Sequence, residues 1–169
     1  MGQGRSNGFT LIELAMVIVV LGLMISLVIP TLGEMTGANL TRSSRHLTGM
    51  IRFLRDAAEA DKKDYRLQFD IPGGHYWAEK YEENPDGRTG EFKRVPSTIS
   101  TEGELSGNTS FKGVRVGSHP DDPAILFTPD GWVEKAFIHL RDGNGKDFTL
   151  IVQPLTGDTV LREGEVEER

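Results

Sequence analysis

The sequence predicts an α+β fold, a long amino-terminal helix packed against an antiparallel β-sheet domain. Three observations predict it. Across residues 9–33 the only charged residue is Glu13, and an apolar helix of ~20 residues matches the hydrocarbon thickness of a bilayer. Further on, Leu47, Ile51, Leu54 and Ala58 recur in steps of 4, 3 and 4, which trace one face of a helix. After Lys63 the period falls to two and Pro/Gly turns punctuate the chain, the pattern of short strands.

Composition bounds the rest. The 169 residues suit one membrane segment and one modest domain. The formal net charge is −6 and becomes −7 when the leader takes Arg5 away. That balance argues against nucleic acid as a partner, which a basic patch or stripe would serve. There is no cysteine, so neither a disulfide framework nor a thiolate metal site can form. Most of the 20 glycines and 8 prolines lie beyond residue 70, where the turns are expected.

The organising stretch is GFTLIELAMVIVVLGLMISLVIP, residues 8–30. It exceeds the ~7–15 apolar residues of a cleaved secretory signal, and no A-x-A-like site follows it. Arg5 is the one basic residue of the short polar leader. A positive flank stays in the cytoplasm, so the remainder of the chain should face outward. Glu13 is the anomaly: a carboxylate in an apolar segment costs several kcal/mol unless it is paired, and it marks function by default.

Gly8-Phe9-Thr10-Leu11-Ile12-Glu13, after a leader with one Arg and before a long apolar helix, resembles the type IV prepilin signal. The resemblance implies cleavage between Gly8 and Phe9, N-methylation of Phe9, and retention of the apolar helix on the mature protein. It places Pro30 where many pilins bend that helix. Cleavage would leave a cationic amine on Phe9. In a bundle of such helices that amine can meet the Glu13 carboxylate of a neighbour, so that neither charge is buried alone. Glu13 then acts as a register pin for filament assembly.

The helix is expected to continue past Pro30. Met35 and Leu40 extend the apolar stripe, while Arg42, Arg45, Arg52, Arg55, Glu59 and Lys62 lie mostly on other faces. Gly33, Gly37 and Gly49 each weaken a helix by up to ~1 kcal/mol relative to Ala, and Pro30 removes a backbone donor. Residues 30–37 are therefore expected to form a hinge or a melted segment. The expected divisions are a leader at 1–8, a transmembrane and assembly helix at 9–33, its amphipathic second half at 34–63 and a periplasmic β-rich domain at 64–169.

Within that domain, residues 65–71 alternate, Pro72-Gly73-Gly74 turns, and residues 75–81 are dense in β-formers, which together read as a hairpin. Trp77 and Tyr81 share one strand face and are expected in the core. Residues 84–87 make a second turn and 91–95 a short strand. Residues 98–108 are polar and Gly-rich and read as an exposed loop. Strands are expected at 110–116, with Val114 and Val116 inward, at 124–128, at 132–141 and at 148–153, with a last one at 159–161. Turns fall at 119–123, 129–131, 142–145 and 154–158. The acidic tail, 162–169, is expected to fray.

No catalytic constellation emerges. His46, His75, His119 and His139 show no metal-ligand spacing with one another. No phosphate loop or nucleophile elbow is present. The string at 142–147 offers Asp142, Asn144 and Asp147, but Lys146 intrudes and no bidentate Glu closes a calcium loop. Turn formation explains it, and neither metal nor cofactor is expected.

Ile125-Leu126-Phe127-Thr128-Pro129-Asp130-Gly131, the alternating strand after it, Leu150-Ile151-Val152 and Thr156-Gly157 resemble minor pseudopilins of the general secretion pathway protein H and FimT type. That resemblance implies a type IV pilin-like fold and no enzymatic activity. It implies a subunit of the periplasmic pseudopilus of a type II secretion system, anchored in the bacterial inner membrane and helping to export folded proteins. Other pseudopilins, the prepilin peptidase/methyltransferase and an inner-membrane assembly platform would be its partners. The alternative is a minor pilin of a type IV pilus, acting in initiation, adhesion or DNA uptake. The acidic end, Arg162-Glu163-Gly164-Glu165-Val166-Glu167-Glu168-Arg169, disfavours DNA because phosphate would be repelled.

Overall fold

A computed structural model describes residues 11–85, 89–117 and 123–166, with backbone alone at 25–36. The chain divides into two units, Met1–Met35 and Thr36–Arg169. The first element is the helix α1 (Leu11–Asp61), helical throughout. The stretch at 30–37 is thus not melted. The kink expected at Pro30 concerns a residue whose side chain lies outside the described residues.

In the second unit α1 presents its stripe inward: Leu40, Leu47, Ile51, Leu54 and Ala58 are all buried, as is Met50. Met35 lies outside the described side chains. The gap in the stripe between Leu40 and Leu47 is filled by Ser43 and Ser44, both buried. Ser43 Oγ accepts the backbone N–H of Ser106 at 2.9 Å. At the helix end Asp61 accepts the Tyr65 hydroxyl at 2.6 Å and the Lys80 ammonium.

Nine strands follow: β1 (Tyr65–Asp70), β2 (His75–Glu83), β3 (Gly90–Arg94), β4 (Glu102–Glu104), β5 (Ser110–Val116), β6 (Ala124–Phe127), β7 (Ala136–Arg141), β8 (Asp147–Val152) and β9 (Thr159–Glu163). They form two antiparallel sheets. The first has the order β3-β2-β1-β6, with β4 also pairing β2; the second runs β5-β7-β8-β9. The β1–β2 hairpin turns at Gly74, whose φ of 73° suits glycine.

One core joins the helix stripe to Leu67, Phe69, Tyr76, Ile125 and Phe127 of the first sheet and Val114, Ile138, Leu140 and Val152 of the second. The expected inward positions Val114 and Val116 are both buried. Four expectations need correction. On β2 the inward residues are Tyr76 and Ala78, so Trp77 and Tyr81 face outward, half-buried. There Arg94 lies over the Trp77 ring at 4.8 Å, and Tyr81 meets Phe92 edge-on at 5.4 Å. A period of two defines two faces without saying which one the helix will cover.

The expected loop at 98–108 contains β4, and Thr101 and Leu105 within it are buried. The strand expected at 132–141 starts only at Ala136. Before it, Val133 bridges Phe127 of the first sheet, so this segment carries the chain from one sheet to the other. Finally, the tail does not fray at 162–166. Arg162 and Glu163 belong to β9, Lys112 reaches Glu165 at 2.7 Å, and Val166 N–H donates to Thr149 Oγ1 at 3.1 Å.

Candidate functional site

The sequence directs attention to the start of α1. Gly8 and Phe9 lie outside the described residues. Glu13 sits in the first turn of α1 and is exposed. Around it, Leu11, Ile12 and Leu14 are 88%, 75% and 54% exposed, and the same holds onward to Leu23 and Met24. Leu, Met, Val and Ile take this stretch all the way round the helix with no polar face. A helix apolar on every side is built for burial in a membrane or among other helices. Each such side chain gains about 1.5–3 kcal/mol on full burial. Glu13 is the one charge in the stretch Leu11–Met24.

Among the described residues no helical stretch is long and apolar enough to cross a membrane. The uncharged sequence runs on to Gly33.

A second cluster, absent from the sequence reading, ties the helix to the segment between β3 and β5. His46 Nε2 lies 2.8 Å from the Ile99 carbonyl, which can only accept, so Nε2 carries the proton. In the neutral ring the other nitrogen, Nδ1, accepts the Tyr76 hydroxyl at 2.6 Å. Burial pushes the pKa of that hydroxyl upward, which keeps it a donor. Gly103 of β4 packs where a Cβ would stand 2.6 Å from both His46 Cε1 and Tyr76 Cε2. The legible signal was positional: Ser43, His46 and Met50 run beside the apolar stripe at helical spacing.

The turn 129–131 also meets the helix. Gly131 has φ 84°, and a Cβ on it would stand 2.4 Å from Glu59 Oε1. Gly157, with φ 64°, lies over Ile51 and Val133. Nearby, the Arg55 guanidinium donates to the Thr156 carbonyl. These turns therefore hold the sheets against α1.

Of the remaining candidates, Asp142 shapes a turn, Asp147 is ion-paired and His139 is packed inside. Asp142 Oδ1 accepts the N–H groups of Asn144 and Lys146, each at 2.9 Å. Asp147 bonds Arg141 Nε at 2.7 Å and Lys112 Nζ at 2.9 Å, and these cations hold its carboxyl well below the usual range. His139 is buried beside Thr149, His75 is exposed, and His119 lies outside the described residues. No group of metal-ligating side chains occurs among the described residues.

No family model matches the chain. It is 34% identical over 160 residues to type II secretion system protein H of Pseudomonas aeruginosa, covering 86% of this chain and 90% of that protein. Its fold is similar to the minor pseudopilin EpsH from the Type 2 Secretion System of Vibrio cholerae, with a TM-score of 0.50 over 73% of this chain and 94% of that one, at 10% identity. The solution structure of E. coli GspH gives a TM-score of 0.55 over 75% of this chain and 89% of that one, at 7% identity. At such identities the structural likeness speaks for the fold alone, an α+β arrangement of the type IV pilin kind.

Proposed function

This chain belongs to the type II secretion system protein H family, and from that premise we propose how it serves as a minor pseudopilin. It is a structural subunit of the periplasmic pseudopilus and associates with other pseudopilins. The mature protein begins at Phe9, after prepilin peptidase cuts behind Gly8 and methylates the new amine. Residues 9–33 hold it in the inner membrane as a single span until the assembly platform passes it into the filament. The β-rich domain stands in the periplasm. The filament helps to move folded proteins across the outer membrane.

The observation that carries this reading is the stretch Leu11–Met24, apolar on every side and exposed, with one acid in its first turn. Side chains of that kind have no place in water, and a filament core supplies both the apolar contacts and a cation for Glu13. The Phe9 amine of a neighbouring subunit is that cation. Pro30 bends the helix where the span gives way to the amphipathic half.

The test is co-purification. The full chain is expressed with its native neighbours, crosslinked in membranes, and its partners identified by mass spectrometry. Recovery of other pseudopilins with a secretion ATPase platform is the expected result. Recovery of a major pilin and a retraction motor instead would move the chain to a type IV pilus.

A further inference from the structure

Strand β9 forms an edge of the second sheet, pairing only with β8 among the described residues. Its first half is unprotected: Val160 and Leu161 are 39% and 40% exposed. An open edge with apolar side chains is a template for another strand, and native chains cover or charge such edges. Arg162 and Glu163 charge only the far end.

Between this edge and α1 runs a groove of about 360 Å³, with Ser44, Arg45 and Arg52 on the helix side and Leu150, Thr159 and Leu161 on the sheet side. Leu150 and Leu161 are register partners, so their side chains share the face turned toward the helix. Thr48 and Thr159 close one part of the groove by a hydroxyl contact of 2.6 Å. Ser44, which lines the groove, is buried, and its hydroxyl has no hydrogen-bond partner among the described residues. Arg45 is exposed at the rim. Arg52 faces Asp158 at 3.5 Å, a loose surface pair with both side chains more than half exposed.

We propose that the β9 edge and this groove dock an extended segment of a neighbouring filament subunit, one that carries a carboxylate side chain to Arg45 and Arg52. The backbone of the incoming segment adds to β9 as a further strand. Its alternate side chains point into the groove, an apolar one against Leu161 and an acidic one toward the guanidiniums. Charge complementarity selects the occupant: two arginines line the groove of a chain whose net charge is −6. The inference rests on the pseudopilin reading, because it requires a neighbour in a filament.

The experiment places a photo-crosslinking amino acid at Leu161, and separately at Ile18 in the apolar helix. The carrier is the full chain co-expressed with its native neighbours. Crosslinking from Leu161 to a pseudopilin peptide containing Asp or Glu is the expected result. Arg45→Glu should lower that yield about tenfold, the effect of ~1.4 kcal/mol, and Arg45→Lys should retain most of it. Unchanged thermal melting of each variant shows that the fold is intact. Capture of pseudopilins from Ile18 but not from Leu161 overturns the groove and leaves the filament reading standing. Capture from neither position overturns both. Capture from Leu161 that ignores Arg45→Glu, or that finds a protein outside the pseudopilins, overturns the proposed occupant.

Discussion

The Tyr76 hydroxyl lies 2.6 Å from His46 Nδ1, joining the first sheet to the helix across the core. The other nitrogen of the same ring holds the Ile99 carbonyl. One side chain of α1 thus fastens both β2 and the segment that leads into β4. Ser43 adds a second tie to that segment through Ser106 N–H.

Breaking the His46–Tyr76 pair should cost stability without changing the fold. Tyr76→Phe removes the donor, and His46→Leu leaves a fully buried hydroxyl unpaired. A buried polar group without a partner costs about 1–3 kcal/mol. Each variant should therefore melt at a lower temperature. The double variant should lose less than the sum, by a coupling of about 0.5–3 kcal/mol. Thermal melts of the full chain in detergent, followed by circular dichroism, check both statements; strict additivity would show that the pair carries no shared energy.

Gly103→Ala should release β4 from the first sheet. The added methyl would stand 2.6 Å from ring carbons of His46 and Tyr76, and the fully buried Tyr76 ring cannot swing aside as a flexible chain end can. Overpacking of this kind costs typically about 1–3 kcal/mol. Hydrogen exchange at Leu105, whose amide bonds the Gly74 carbonyl, should quicken relative to amides of β8. Unchanged protection there would contradict the prediction.

Asp147 should contribute a pH-dependent share of stability. Its carboxyl is held below the usual range by hydrogen bonds from Arg141 and then Lys112, and Lys112 lowers Glu165 in the same way. A carboxyl with a depressed pKa in the folded state stabilises above its unfolded value, about 3.9 for Asp. That contribution fades as pH falls below this value toward the folded pKa. Melting temperature should thus fall more steeply below pH 4 for the wild type than for Asp147→Asn. Parallel curves for the two proteins would remove Asp147 from the acid response.

Glu13→Leu should leave membrane insertion intact, since it makes the apolar stretch more apolar, and should impair incorporation into the filament. Fractionation reads the first outcome and recovery of sheared filaments the second. Normal incorporation would show that the Phe9 amine needs no carboxylate at this position.

The hairpin of β1 and β2 was legible because its information is local. Alternation in Tyr65, Leu67 and Phe69, followed by Pro72-Gly73-Gly74, states both the strand and the turn. The core stripe from Leu47 to Ala58 was legible for the same reason, a period carried within one element. By contrast, Glu102, Gly103 and Glu104 have no apolar alternation. They become β4 only because β2 offers its backbone edge to them. Likewise, nothing local shows that residues 133–135 leave one sheet for the other.

By itself the sequence determined the order of the helix and of every strand except β4, the apolar stretch with Glu13 and the position of most turns, because each depends on neighbours within a few residues. The tertiary structure decided which face of β2 turns inward, what His46 holds, that Gly164 and Val166 return over Thr149, and that β9 pairs only with β8 among the described residues. Those outcomes depend on surfaces brought together from distant parts of the chain. Burial and hydrogen-bond satisfaction are properties of such assembled surfaces, and no local pattern of residues contains them.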